Sequence, residues 1–143
     1  VACYRSTATL ALVRQLDRPG WLAWQSAPGV ALPVMLVGLG EREALLQMPD
    51  GLVSVSLATL ASRWNGEFAT LWRSPPEPVA GWVQAQLAIE QAGALPADAL
   101  PRARVEAFQR AQGLPVDGLV GPLTLMQLNR VAAVAEPRLT AER

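Results

Sequence analysis

The sequence predicts an α+β unit built on a small antiparallel sheet, followed by a second unit of three helices. Short strand-like runs separated by turn residues occupy the part before residue 74, and helical spacing takes over after residue 82. Between them lies SPPEPVAG, residues 74–81, with three prolines. Proline lacks the amide donor and fixes φ, so this stretch continues neither a strand nor a helix. The expected boundaries are 1–74 for the first unit, 75–81 for a Pro-rich linker, 82–136 for the helical unit and 137–143 for a tail.

In chain order, Thr7 to Leu16 is a predicted helix, with Ser6 or Thr7 as N-cap and Leu12 and Leu16 four apart on one face. Arg18-Pro19 ends it. Strand-like runs follow at Trp21–Gln25, Leu32–Val37, Ala44–Met48 and Leu52–Val55, with turns at Ala27-Pro28-Gly29, Gly38-Leu39-Gly40 and Pro49-Asp50-Gly51. Connections this short suit antiparallel neighbours, because a parallel crossover needs a dozen residues or more. Leu57, Leu60 and Trp64 switch residues 56–64 to helical spacing, and Phe68–Arg73 reads as a last strand. Past the linker, Trp82–Gln91 is a helix with Trp82, Ala85 and Ile89 on one face. Residues 102–112 form a second, with Val105, Phe108 and Ala111 or Gln112 inward, and Pro122–Val134 a third, with Leu125, Leu128 and Ala132 in line. Gly113 stands where a glycine closes a helix in the left-handed conformation, and Pro122 where proline opens one. Leu114, Val116 and Leu119 or Val120 are the expected apolar anchors of this elbow.

Composition narrows the chemistry. Of 143 residues 51% are apolar and 17% charged, which suits a folded chain with a real core. The longest apolar run, ALPVMLVGLG at 31–40, is too short to span a membrane and is broken by Pro33 and Gly38. Net charge is zero, so no electrostatic feature points to nucleic acid. All twelve basic residues are arginine, and the single cysteine, Cys3, rules out an internal disulfide. Histidine is absent. That removes the usual general base, the commonest metal ligand and any Ser–His or Cys–His pair. No cofactor, no metal and no catalytic residue is expected. Glu41 and Glu43 read as solvated charges near a turn. A carboxylate pair such as Asp50 with Glu67 is in principle a candidate for glycosidic chemistry, though nothing in the sequence marks either as buried or close. The five tryptophans, Trp21, Trp24, Trp64, Trp72 and Trp82, are expected to serve mainly as core.

The run from Val105 to Leu128, with Phe108-Gln109, Gly113-Leu114, Val116-Asp117-Gly118, Val120-Gly121 and Thr124, closely resembles the peptidoglycan-binding domain of bacterial cell-wall hydrolases. The likeness extends over about residues 82–130 and weakens where the first helix is followed by GALPADALP. It implies a shallow wall-binding groove. The expected contacts are the polar set at the elbow: Gln109, Asp117, Gly118, Thr124 and Gln127. Each also has a plain structural role available, as a turn, cap or core position.

The first unit resembles the second half of papain-like peptidases that process bacteriocin precursors. Aligning Gly38 with that family's glycine sets Leu32 at the histidine position, and aligning Pro49 with the Asp-Pro motif sets Met48 at the aspartate position. Leu57, Trp64 and Gly66 keep the closing helix–strand unit. A thiol protease needs an imidazole to take and return a proton, and neither Leu32 nor Met48 does this. Cys3 lies outside the family's nucleophile position and is expected as a small buried or terminal residue.

A peptidase remnant joined to such a helical domain is similar to the C-terminal periplasmic region of the general secretion pathway protein A family. That resemblance implies a periplasmic, non-catalytic scaffold that binds peptidoglycan, pairs with general secretion pathway protein B and helps the type II secretion secretin assemble through the wall. It also implies a parent with an ATPase domain and one inner-membrane helix outside this sequence, in keeping with a chain that begins at Val1. Membrane contact would come only through that outside segment. The alternatives are a wall hydrolase or amidase carrying the helical domain for binding, and a protein-docking module that uses the edge of its sheet.

Overall fold

The computed structural model describes residues 1–140, which form two compact units: 1–72 with 136–140, and 73–135. The first is α+β, as the sequence predicts. Six antiparallel strands, β1 (Ala2–Thr7), β2 (Gly20–Ala27), β3 (Val30–Leu39), β4 (Glu43–Met48), β5 (Gly51–Ser56) and β6 (Trp64–Trp72), lie in the order β1-β6-β2-β3-β4-β5. Helix α1 (Leu10–Leu16) joins β1 to β2, and α2 (Leu57–Arg63) joins β5 to β6. Leu22, Leu36 and Leu46 from the sheet and Val13, Leu16 and Leu60 from the helices are all fully buried. Pro28 and a left-handed Gly29 turn β2 into β3, and Pro49-Asp50 turns β4 into β5.

Three expectations need correction. The chain starts as a strand, and α1 starts later than expected, with Thr9 as its N-cap: the Leu12 amide donates to Thr9 Oγ1 at 3.1 Å. Strand β1 is stabilised by pairing with the distant β6, Ser6 opposite Phe68, so nothing nearby in the sequence announces it. The tryptophans divide, with Trp24 and Trp72 buried but Trp21 41% exposed on the outer face of the sheet. The expected tail at 137–143 is, as far as it is described, part of the first unit. Thr140 bridges Gly38 in parallel, its amide donates to Val37 O, and its carbonyl accepts from the Leu39 amide at 2.9 Å. Glu136 also pairs with Arg18 at 2.9 Å, both side chains less than 10% exposed. Gly38 is required for this contact, since a Cβ there would stand 2.5 Å from Thr140 Oγ1.

In the second unit, α3 (Val79–Glu90) begins inside the expected linker, α4 spans Pro101–Ala111 and α5 spans Pro122–Val131. The expected face of α3 is wrong: Val83 and Leu87 are buried, while Ala85 is exposed and Ile89 is 69% exposed. Apolar residues surround α3, so two stripes are compatible with its spacing, and only packing chooses between them. On α4 and α5, Val105, Phe108, Leu125 and Leu128 turn inward as expected. Where the family likeness fades, buried Arg104 of α4 reaches back across the α3–α4 loop, donating to Gln91 Oε1 and to the carbonyls of Pro96 and Ala97. Gln91 Nε2 returns a bond to Arg104 O at 2.7 Å.

Candidate functional site

The elbow between α4 and α5 is set first by its backbone. Gly113 takes φ 70° just past Gln112, the C-cap of α4. The Gly113 amide donates to Arg110 O at 3.3 Å, and the Leu114 amide donates to Gln109 O at 2.9 Å. Those two bonds close the helix in a Schellman motif, with buried Leu114 as its apolar contact. Gly121 then serves as N-cap of α5 and Pro122 occupies the first turn.

Gln109 ties the rest together. Its Oε1 accepts from the amides of Asp117 at 3.1 Å and Gly118 at 3.0 Å. Its Nε2 lies within donating distance of Asp117 Oδ1 (2.9 Å), Leu119 O (2.9 Å) and Thr124 Oγ1 (3.1 Å). One side chain, 1% exposed, thus links the end of α4, the loop and the first turn of α5. Asp117 Oδ1 also accepts from the Leu119 amide at 2.9 Å. That amide first, then Gln109 Nε2, lowers the Asp117 carboxyl below its ordinary value of 3.8. Arg102 reaches the loop from α4, donating to Asp117 O at 3.0 Å.

The structure therefore brings Gln109, Asp117, Gly118 and Thr124 into one hydrogen-bonded cluster. Gln127 lies outside it, donating to Gln112 Oε1 at 3.0 Å while its own buried Oε1 has no partner among the described residues. Gln109, Thr124 and Gln127 are buried, Gly118 is half-buried, and of the expected contact residues only Asp117 is exposed. The expected apolar anchoring also needs correction. Leu114 is buried, but Val116, Leu119 and Val120 are 43%, 63% and 38% exposed. Polar bonds to Gln109 hold the loop, which leaves three apolar side chains facing outward around an anionic Asp117. Sequence reasoning missed these residues because apolar loop positions read most simply as inward anchors.

In the first unit, Cys3 and Leu32 line one groove of about 800 Å3, with Trp21, Pro33, Leu71 and Arg5. The thiol is exposed, so of the two readings of Cys3, buried or terminal, the buried one does not hold, and the sequence offers it no imidazole. Asp50 and Glu67 do not form a glycosidase pair. Asp50 sits in the β4–β5 turn and Glu67 on β6, with β2 and β3 between β6 and β4. At about 4.8 Å per strand this is roughly 14 Å, beyond the ~5–9.5 Å that such carboxylates need. Among the described residues no His/Cys/Asp/Glu group suits a metal ion, and no helix is long and apolar enough to cross a membrane.

Residues 81–128 match the family model described as "Putative peptidoglycan binding domain". The chain is 31% identical over 155 aligned residues to general secretion pathway protein A of Aeromonas hydrophila, a match covering 98% of this chain and 28% of that protein. It therefore spans little more than a quarter of that relative. Its fold is similar to a periplasmic domain of the EpsAB fusion protein of the Vibrio vulnificus type II secretion system. That match has a TM-score of 0.60 at 25% identity, covering 94% of this chain and 66% of that one.

Proposed function

We propose that this chain is a non-catalytic, periplasmic peptidoglycan-binding and scaffolding module of a type II secretion protein. One observation carries the reading: the segment matching the peptidoglycan-binding family, residues 81–128, contains an elbow held rigid by Gln109 that presents Val116, Asp117, Leu119 and Val120 to solvent. A preformed surface loses little entropy on binding, and an apolar rim around a carboxylate suits the methyl groups, amides and amines of the wall's stem peptides. In this reading Asp117, Gly118 and the three apolar neighbours touch the ligand, while Gln109 and Thr124 hold them in place. As a further part of the proposal, we extend the role to pairing with general secretion pathway protein B and to secretin assembly through the wall, in a parent anchored in the inner membrane; what supports the extension is the 31% identity to general secretion pathway protein A.

Sedimentation with purified sacculi at moderate salt tests the binding. The chain is expected in the pellet. Combining Val116→Ser with Leu119→Asp is expected to weaken binding about tenfold or more with an unchanged circular dichroism spectrum, as loss of an interface anchor does. Ile89→Ser, at an exposed position of α3, is expected to leave it unchanged. Full recovery of the unaltered chain in the supernatant would sink the reading. Release of muropeptides during the incubation would instead favour a wall hydrolase.

A further inference from the structure

The two edges of the sheet, β1 and β5, are guarded differently. Proteins commonly protect such edges with a charge, a proline or a bulge. Strand β1 carries Arg5, whereas β5 reads GLVSVS, with no charge, no proline and an unbroken register against β4. The Leu57 amide donates to Arg42 O at 2.9 Å, which fixes the phase of the β4–β5 ladder. Antiparallel bonding alternates, so Val53 and Val55 bond inward to Leu46 and Ala44, and the amides and carbonyls of Leu52 and Ser54 point off the edge. The core also runs out here. Val53 shares a face with Leu46, which is 0% exposed, yet is itself 40% exposed, and Leu52 is 59% exposed.

We propose that β5 is a self-pairing edge that joins a second copy of this chain across a two-fold axis at Val53. Antiparallel pairing of β5 with itself in that register sets Leu52 opposite Ser54 of the other copy and Ser54 opposite its Leu52, so all four outward groups on each strand are satisfied. Val53 then meets Val53 on the core face, closing the gap there. Val55 crosses Gly51, where a Cβ would find open space. With no charge anywhere on β5, a second copy brings no like-charged side chain opposite it, the usual obstacle to self-pairing. One short strand pair buries well under the ~1,600 Å2 of a standard stable interface. The association is therefore reversible and concentration-dependent.

Sedimentation velocity on the full 143-residue chain is expected to show mass rising from monomer toward dimer with concentration. Val53→Lys, which sets two cations against each other at the axis, is expected to abolish that rise while keeping the circular dichroism spectrum. In a Cys3→Ser background, Val53→Cys is expected to form an intermolecular disulfide on mild oxidation. Opposed residues of a non-hydrogen-bonded antiparallel pair lie about 4.5 Å apart at Cα, within disulfide range. The native Cys3 on the other edge is expected to cross-link at least tenfold more slowly. A chain that stays monomeric up to millimolar concentration, a dimer that survives Val53→Lys, or Val53→Cys reacting no faster than Cys3 would each overturn the proposal. So would a monomer whose β5 is occupied only by a strand from a different protein.

Discussion

Gln109 shows how one buried amide can set the geometry of an exposed surface. Both its carbonyl and amino ends are committed, and the groups they satisfy lie on three successive pieces of chain. Gln109→Ala leaves those groups unmet or exchanged for water, and is expected to lower unfolding stability by about 3 kcal/mol in urea titration. Gln109→Glu keeps the shape but points oxygens at Leu119 O and the Asp117 carboxylate, so it is expected to be at least as damaging at neutral pH and to recover partly in acid. Asp117 supplies its own pH dependence. Its carboxyl is depressed in the folded chain, so its contribution is complete above the ordinary value of 3.8 and is lost as pH falls through the lowered one. In Asp117→Asn that part of the acid dependence should vanish from the stability profile. A profile unchanged from the unaltered chain would show that the carboxylate is not coupled to folding.

At the scale of elements, the legible boundaries are those written in glycine and proline. The end of α4 at Gly113 and the start of α5 at Pro122 were readable because each residue's backbone restriction matches one helix position. The end of α5 was not. The helix stops at Val131, before the expected Val134, in the same Schellman geometry: Ala133 donates to Arg130 O and Val134 to Asn129 O. Ala133 is forced to φ 59° with no glycine to mark it. Ala133→Gly should therefore stabilise the second unit by about 1 kcal/mol, the cost of holding an L-residue in the left-handed region. A fall in the urea midpoint would show that the gain in unfolded-chain entropy outweighs the relieved strain. Strand β1 and the buried face of α3 were equally hidden, one because its partner is remote in sequence, the other because α3 is apolar on several sides. The elbow's residue cluster was legible as a group, but which members are buried was not, since a polar residue buried by hydrogen bonds reads like an exposed one.

At the scale of the whole chain, the second unit is an insertion in the first, because residues 136–140 return to β3 and to the end of α1. The sequence shows one break, at the prolines, and nothing at Ala135–Glu136 comparable to it, so a two-piece first unit could not be read. The return has a physical anchor. Arg18 and Glu136 form a nearly dry ion pair, and Asp17 adds a second, more exposed pairing with Arg138 at 3.6 Å. Ending the chain after Ala135 removes the carboxylate that pairs with Arg18. Breaking a buried pair by removing one partner costs up to about 3–5 kcal/mol, and less where water then reaches the guanidinium. It also removes the acceptor of the Leu39 amide. Hydrogen exchange on the shortened chain should then show the Leu39 amide and its β3 neighbours losing protection. The Gln112 and Ala132 amides, bonded to Phe108 O and Leu128 O within the second unit, should keep theirs. Glu136→Gln in the full chain should give a smaller change of the same kind, because the amide retains one acceptor for Arg18 without the charge. If α4 and α5 lost protection together with β3, the stretch would be stabilising the helical unit as well, and the division of the chain at residue 136 would be wrong.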